Sequence, residues 1–288
     1  MNFHFSKENL NPQQALLQRV LEIVPGLVSW LVLSGLVFLS IFFPVWAAIF
    51  IVAFDISWIM RILYSTIFLL FSWYRLNIER DTDWMARIKG IDDLKNYLAT
   101  IQSLKTAGNW RQKASYKIHI DQLTTLYKNK TPPPLSNNIY HLIILPIIKE
   151  GRDILIPVVE AIKNQNFPLK KIVLVFALEE RALSDVHQAV RELERKYKHI
   201  FFGCFTVIHP AISEGEARVK GANATCAARW AYRFFQKNNI PLEDVIISCF
   251  DADTVVSPNY FPCLTYHFMV SPNRYRASFQ PIPVYHNN

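Results

Sequence analysis

Two aspartates one residue apart, Asp251 and Asp253, close an apolar run at residues 245–250. The run predicts a buried strand, and on an extended segment side chains two apart share a face. Both carboxylates are then expected at the strand's carboxyl end, where open α/β sheets bind ligands. A carboxylate pair is also a common way to hold Mg2+ or Mn2+ beside substrate phosphates. The spacing therefore points to metal-assisted chemistry on a phosphorylated donor, with Asp253 and Asp251 on the metal side.

Those two residues need a sheet to position them. Apolar strand runs are expected at residues 139–147, 171–177, 201–207 and 244–250, with 275–280 as a further strand candidate. Between them, residues 153–164, 184–198 and 216–237 carry apolar side chains at helical spacing. Such alternation predicts an α/β fold with a mostly parallel sheet covered by helices. The strand ends then bring further residues to one rim: Pro146, Lys149 and Glu150 after the first; Glu179, Glu180 and Arg181 after the second; Lys220 and Asn223 beyond the loop that follows the third. Each has a plainer reading. Glu150 suits a helix start, Glu179 and Glu180 a solvated helix entry, Lys220 and Asn223 an exposed helix face, and Asp251 a turn cap. His209 reads as structural rather than catalytic. The phosphate-cradling GxxxxGK[ST] and the dinucleotide GxGxxG patterns are both absent. No His/Cys/Asp grouping has zinc spacing.

At 288 residues the chain has room for roughly two domains. Its 51% hydrophobic content is concentrated locally, because residues 23–54 carry no charge. That run exceeds the roughly 20 residues a membrane helix needs. Residues 23–74 are expected to form a transmembrane hairpin divided at Pro44, with a first span over 26–43 and Trp30, Trp46, Trp73 and Tyr74 at its margins. Asp55 and Arg61 interrupt the second span, at about 2.5–3.5 kcal/mol each in mid-bilayer. They read as satisfied by neighbouring chain or by a shallow hairpin; a charged pair on a translocation path is the other reading. Residues 1–22 are then an N-terminal cytoplasmic segment, 75–134 a basic amphipathic helical linker, and 135–288 the sheet domain.

The net charge is +8, and residues 75–130 hold 11 Lys/Arg against 6 Asp/Glu. An excess there suits a cytoplasmic flank facing anionic headgroups, so the bilayer is an expected partner and the cell membrane the expected location. Nucleic acid is not expected, for want of a basic recognition motif. Within the linker, residues 81–104 predict one amphipathic helix that lies on the membrane or docks on the sheet domain. The three prolines at 132–134 mark a boundary. The four cysteines at 204, 226, 249 and 263 lack CxxC spacing and read as reduced core residues.

The ordered set Leu145-Pro146…Glu150, Lys220…Asn223 and Asp251-Ala252-Asp253 resembles the nucleotide-binding half of family 2 glycosyltransferases. The resemblance covers about residues 139–288. It implies a Rossmann-like GT-A fold and a nucleotide-sugar donor, a UDP-sugar first. It also implies Mn2+ or Mg2+ on the donor diphosphate, a glycan or lipid-linked acceptor, and a product in cell-surface polysaccharide or glycan synthesis. By resemblance, Glu150 lies in the nucleotide pocket, Asp251 near the ribose and sugar, and Asp253 on the metal. Lys220 and Asn223 match a lysine–asparagine pair entering the preceding helix, and Glu179 or Glu180 would serve base recognition. Three positions depart from the family pattern: Lys149 stands for an asparagine, Ala177-Leu178-Glu179-Glu180-Arg181 for an Asp-Asp-Gly-Ser type end, and Val219 for a glycine. Only 35 residues follow Asp253, and neither the family's catalytic base nor its acceptor-binding segment is found among them. The expectation is a donor-binding half or an incomplete copy, so a membrane-tethered donor-binding pseudo-transferase is the alternative. Asp251-Ala252-Asp253-Thr254-Val255 also fits the motif of haloacid-dehalogenase-like phosphatases, in which the first aspartate is a nucleophile; that motif normally opens its domain.

Overall fold

The computed structural model describes residues 11–103, 108–128, 132–210 and 220–281. The chain divides into two units, one ending at Asn77 and the other beginning at Ile78.

The first unit holds two helices long and apolar enough to cross a membrane, α1 (Pro12–Phe42) and α2 (Pro44–Glu79). α1 begins well before the apolar run. Asn11 and Gln14 cap it reciprocally, and Pro12 sits at the first helical position, where its missing N–H costs nothing. Residues 12–22 are therefore continuous with the apolar helix. The break falls at Phe43, whose backbone leaves helical space before Pro44 restarts the chain. Among the described residues of this unit, almost every apolar side chain is exposed.

In the second unit, the segment expected as one helix over 81–104 is two, α3 (Trp84–Ile91) and α4 (Leu94–Gln102); residue 104 lies outside the described residues. Asp92 and Asp93 cause the break. Asp92 turns its carboxylate away to accept from the backbone and hydroxyl of Ser136, and Asp93 occupies the cap position of α4. The fold-back is tight: a Cβ on Gly90 would lie 2.5 Å from the ring of Tyr97. α5 (Trp110–Lys128) follows. Trp84 and Ile88 of α3, Ile101 of α4 and Leu123 of α5 share one apolar cluster with Ile139, Ile246 and Tyr266. Of the two readings left open for this segment, docking on the sheet is the one observed.

Four parallel strands form the sheet in the order β3-β2-β1-β4: β1 (Tyr140–Ile147), β2 (Ile172–Glu179), β3 (Gly203–His209) and β4 (Val245–Cys249). Helices α6 (Arg152–Lys163), α7 (Ser184–Tyr197), α8 (Lys220–Lys237) and α9 (Tyr260–Val270) cover it. Odd-numbered β1 residues (Ile143, Leu145, Ile147) pack with α6, α7 and Phe261 of α9; even-numbered ones (Leu142, Ile144) pack with Ala227, Ala231 and Phe235 of α8. Burial on both faces explains why β1 and β2 are near-continuous apolar runs, each buried Val, Leu or Ile contributing about 1.5–3 kcal/mol. The architecture is the expected helix-covered parallel α/β sheet. The expected strand at 275–280 is not there. Arg274–Arg276 is a 3-10 turn and the described chain beyond it is irregular. Arg274, buried, holds that turn by donating to the carbonyls of Phe268 and Met269.

Candidate functional site

The sheet reverses its winding beside β1: β2 and β3 build outward on one side, β4 on the other. A crevice at such a switch point, at the strands' carboxyl ends, is where α/β sheets take ligands. Pro146 lies just beyond the point where β1 and β4 part. The carbonyl of Ile144 accepts from Phe250 N–H at 3.1 Å, so even-numbered residues of β1 direct their peptide groups toward β4. The missing N–H of Pro146 thus faces β4, whose pairing with β1 ends at Ile144–Cys249. No ladder bond is lost there, and the strands part.

The rim residues fall into two groups. The first bonds to its own chain. Glu150 accepts from the backbone N–H groups of Ile148 (2.8 Å) and Lys149 (3.0 Å). Burial alone would raise its pKa, but these bonds and the Lys149 charge outweigh it and hold the carboxyl below its ordinary value. Glu179 is buried and ion-paired to Arg181 Nε. Asn223, buried in the first turn of α8, donates from Nδ2 to the carbonyl of Ala177 at 2.7 Å and so ties α8 to the end of β2. Its Oδ1 is buried without a hydrogen-bond partner. An exposed helix face is not where Asn223 lies.

The second group faces outward. Lys220, at the start of α8, is ion-paired to Asp251 just beyond the end of β4, both side chains substantially exposed. Asp253 is exposed too. The reason expected for their shared direction does not hold. β4 ends at Cys249, and the chain is already turning at Asp251, whose carbonyl accepts from Thr254 N–H at 2.9 Å. Both aspartates point outward because the turn buries Ala252 between them. Glu180 is also exposed, its N–H donating to the carbonyl of His209 at the end of β3.

Compared with known proteins, the chain matches no family model and no curated sequence.

Among the described residues, no three His, Cys, Asp or Glu side chains group to hold a metal ion. Asp251 and Asp253 are nonetheless hard oxygen donors of the type Mg2+ and Mn2+ take. A pair fits the mode in which substrate phosphates complete the shell, rather than an all-protein cage.

Several features were not foreseen from the chain. A cavity of about 850 Å3 runs along the free edge of β4, lined by Ser248, Cys249, Tyr260, Arg274 and Tyr275 among others. The polar pair Ser248-Cys249, interrupting an apolar run, is its one sequence signal. Cys249 is exposed rather than a core residue; desolvation raises its pKa, against the opposing charge of Lys220. Under α9, His141 is fully buried between Phe167 and Phe261, with Nε2 2.8 Å from the Thr265 hydroxyl. His119 bridges Tyr97 (3.0 Å) and Tyr266 (2.6 Å). Tyr266 gives its proton to Gln122, so it accepts from His119 Nδ1–H, and Nε2 accepts from Tyr97. Desolvation depresses both histidines to a pKa of about 3, the Arg87 charge adding to the effect at His119.

Proposed function

We propose that the chain is a membrane-anchored glycosyltransferase-type protein that binds a nucleotide-diphosphate sugar at the β1–β4 crevice. The observation that carries this reading is the outward-facing set at one switch point: Lys220 and Asp251 ion-paired, with Asp253 two residues further on. The GT-A resemblance of the same residues supports it. Asp253 and Asp251 would hold Mn2+ or Mg2+, which when bound supplies Lewis-acid neutralisation of the diphosphate leaving group. Lys220 adds a second positive charge beside the phosphates. Glu150, kept ionised by its own loop, presents a fixed negative edge suited to hydrogen-bond donors of a base or ribose. Glu179 is buried and ion-paired to Arg181, so of the two the exposed Glu180 is the one assigned to base recognition on grounds of access.

A donor-binding role without transfer is the second reading. It rests on the engagement of the rim carboxylates: Glu150 is held by backbone N–H groups and Glu179 by Arg181, so neither is poised to take a proton from an acceptor hydroxyl. Calorimetry on the full chain in detergent, with UDP, GDP and Mn2+, tests the shared core of both readings. Mn2+-dependent nucleotide binding should be lost in Asp253→Ala, and unchanged affinity would count against the site. Release or transfer of radiolabelled sugar from the bound donor then separates an enzyme from a donor-binding protein.

A further inference from the structure

α2 carries two side chains of opposite charge type, Asp55 and Arg61, that find no ion-pair partner among the described residues of their own unit. Asp55 lies about 16 Å along the helix from Pro44, close to half the roughly 30 Å hydrocarbon thickness of a bilayer. It is exposed and makes no hydrogen bond or ion pair among the described residues. α1 cannot supply a counter-charge at that depth, because residues 23–54 are uncharged. Its hydroxyls at Ser29, Ser34 and Ser40 are already spent on the backbone carbonyls one turn earlier. Arg61 cannot serve on the same helix either: six residues on, it is rotated about 120° from Asp55 and shifted about 9 Å along the axis. Its guanidinium rests over the ring of Trp58, 5.3 Å from the centroid.

The rotation that prevents pairing within one helix favours pairing between two. Asp55 and Arg61 flank a common strip of the helix, with Trp58 at its centre and Phe54, Ile51, Ser65 and Leu69 along it, all exposed. Two copies inserted in one membrane have parallel α2 helices. Related by a two-fold axis along the membrane normal, they set the left flank of each against the right flank of the other. This is the arrangement of flanking charges in a parallel coiled coil, one residue longer in offset. The backward lean of Arg61 over Trp58, toward the level of Asp55, shortens that offset. We propose that α2 is a self-association surface in the bilayer, in which Asp55 of each copy pairs with Arg61 of a second copy. The proposal requires the helix to lie in a membrane and is independent of the sugar-donor reading.

Two fluorophore-labelled populations of the full chain, reconstituted in phosphatidylcholine liposomes, test it by energy transfer. Wild-type copies should associate. Asp55→Asn, which keeps size and shape, should lower the association constant by about three- to tenfold, the range of buried polar contacts between membrane helices. Asp55→Arg chains and Arg61→Asp chains should each fail to self-associate, yet recover wild-type association when mixed, because each then supplies the charge the other lacks. Recovery also shows that both variants insert and fold. Unchanged association of Asp55→Asn, or no recovery on mixing, overturns the pairing. Failure of the wild-type chain to enter liposomes overturns the membrane reading and the pairing with it, while leaving nucleotide binding at the crevice unaffected.

Discussion

Under α9, His141 and His119 are dry, hydrogen-bonded and enclosed by aromatic rings, whereas at the strand tips Lys220, Asp251 and Asp253 stand in solvent. The same kinds of polar side chain are handled in opposite ways at the two places. Beneath the sheet the histidines' hydrogen bonds, which leave only His141 Nδ1 without a partner, reach Thr265 and Tyr266 far along the chain, so their loss is felt as folding energy. At the rim the outward groups bond weakly or to each other, and their value lies in what they can bind. Asn223, Glu150 and Glu179 stand between, at the rim by position but turned inward by their bonds.

The histidines offer the largest test. With folded pKa values of about 3 against an ordinary value near 6.5, the unfolded chain takes up protons first as pH falls. Their contribution to stability is complete above about pH 6.5 and is lost as pH falls toward the folded value. At pH 4.5 the loss should be about 2–3 kcal/mol per histidine. Protection factors for β1 and β2 amides, measured by hydrogen exchange at pH 7 and pH 4.5, should drop accordingly. In His141→Gln, which can still reach Thr265 but does not titrate, roughly half of that drop should vanish. A pH-independent core would break the contrast drawn here.

Asn223 sharpens it. Asn223→Asp would place an ionised carboxylate, without a partner, beside the Ala177 carbonyl in a buried site. The expected cost is about 3–5 kcal/mol, or a raised carboxylate pKa in its place. Hydrogen exchange should show the loss at the end of β2, nearest Ala177. A variant as stable as the wild type would mean that the first turn of α8 is open to water and belongs with the outward group.

What the chain revealed before folding follows the same division. β1 and β2 were legible because their apolar runs are buried on both faces, β3 and β4 because their runs alternate with helical segments, and the rim residues because they follow those runs. The turn at Asp251 was legible only as the plainer of two readings, since a DxD end is compatible with either an extended or a turning backbone. The break at Asp92–Asp93 was not legible, being set by a bond from Asp92 to Ser136, 44 residues on. The polar pairs under α9 join residues 124 and 147 positions apart, His141 with Thr265 and His119 with Tyr266. Local periodicity carries no trace of such partners. The strand expected at 275–280 failed for a related reason: the buried Arg274 fixes that segment by side-chain bonds to three carbonyls, that of Pro132 being 142 residues away, a tertiary effect that alternation of residue types does not encode.

The smallest stability effect, and the most discriminating, belongs to Lys220 and Asp251. Their side chains are 46% and 70% exposed, and exposed ion pairs contribute about 0.2–1 kcal/mol. Lys220→Met, Asp251→Asn and the double variant should therefore differ from the wild type by less than about 1 kcal/mol in amide protection. The coupling between them should shrink in high salt, where exposed charges are screened. Nucleotide affinity with Mn2+ should respond quite differently. On the donor-binding reading, Lys220→Met would remove a charge beside the phosphates and Asp251→Asn one from the metal, so each should weaken binding by about tenfold or more at little cost to folding. The two losses should not simply add, because in the free protein each residue is the other's partner and each must release the other to reach the ligand. If the single variants instead unfold the tip of β4 while binding follows stability in proportion, the pair is a clasp between α8 and β4, and the outward group loses its chemical meaning.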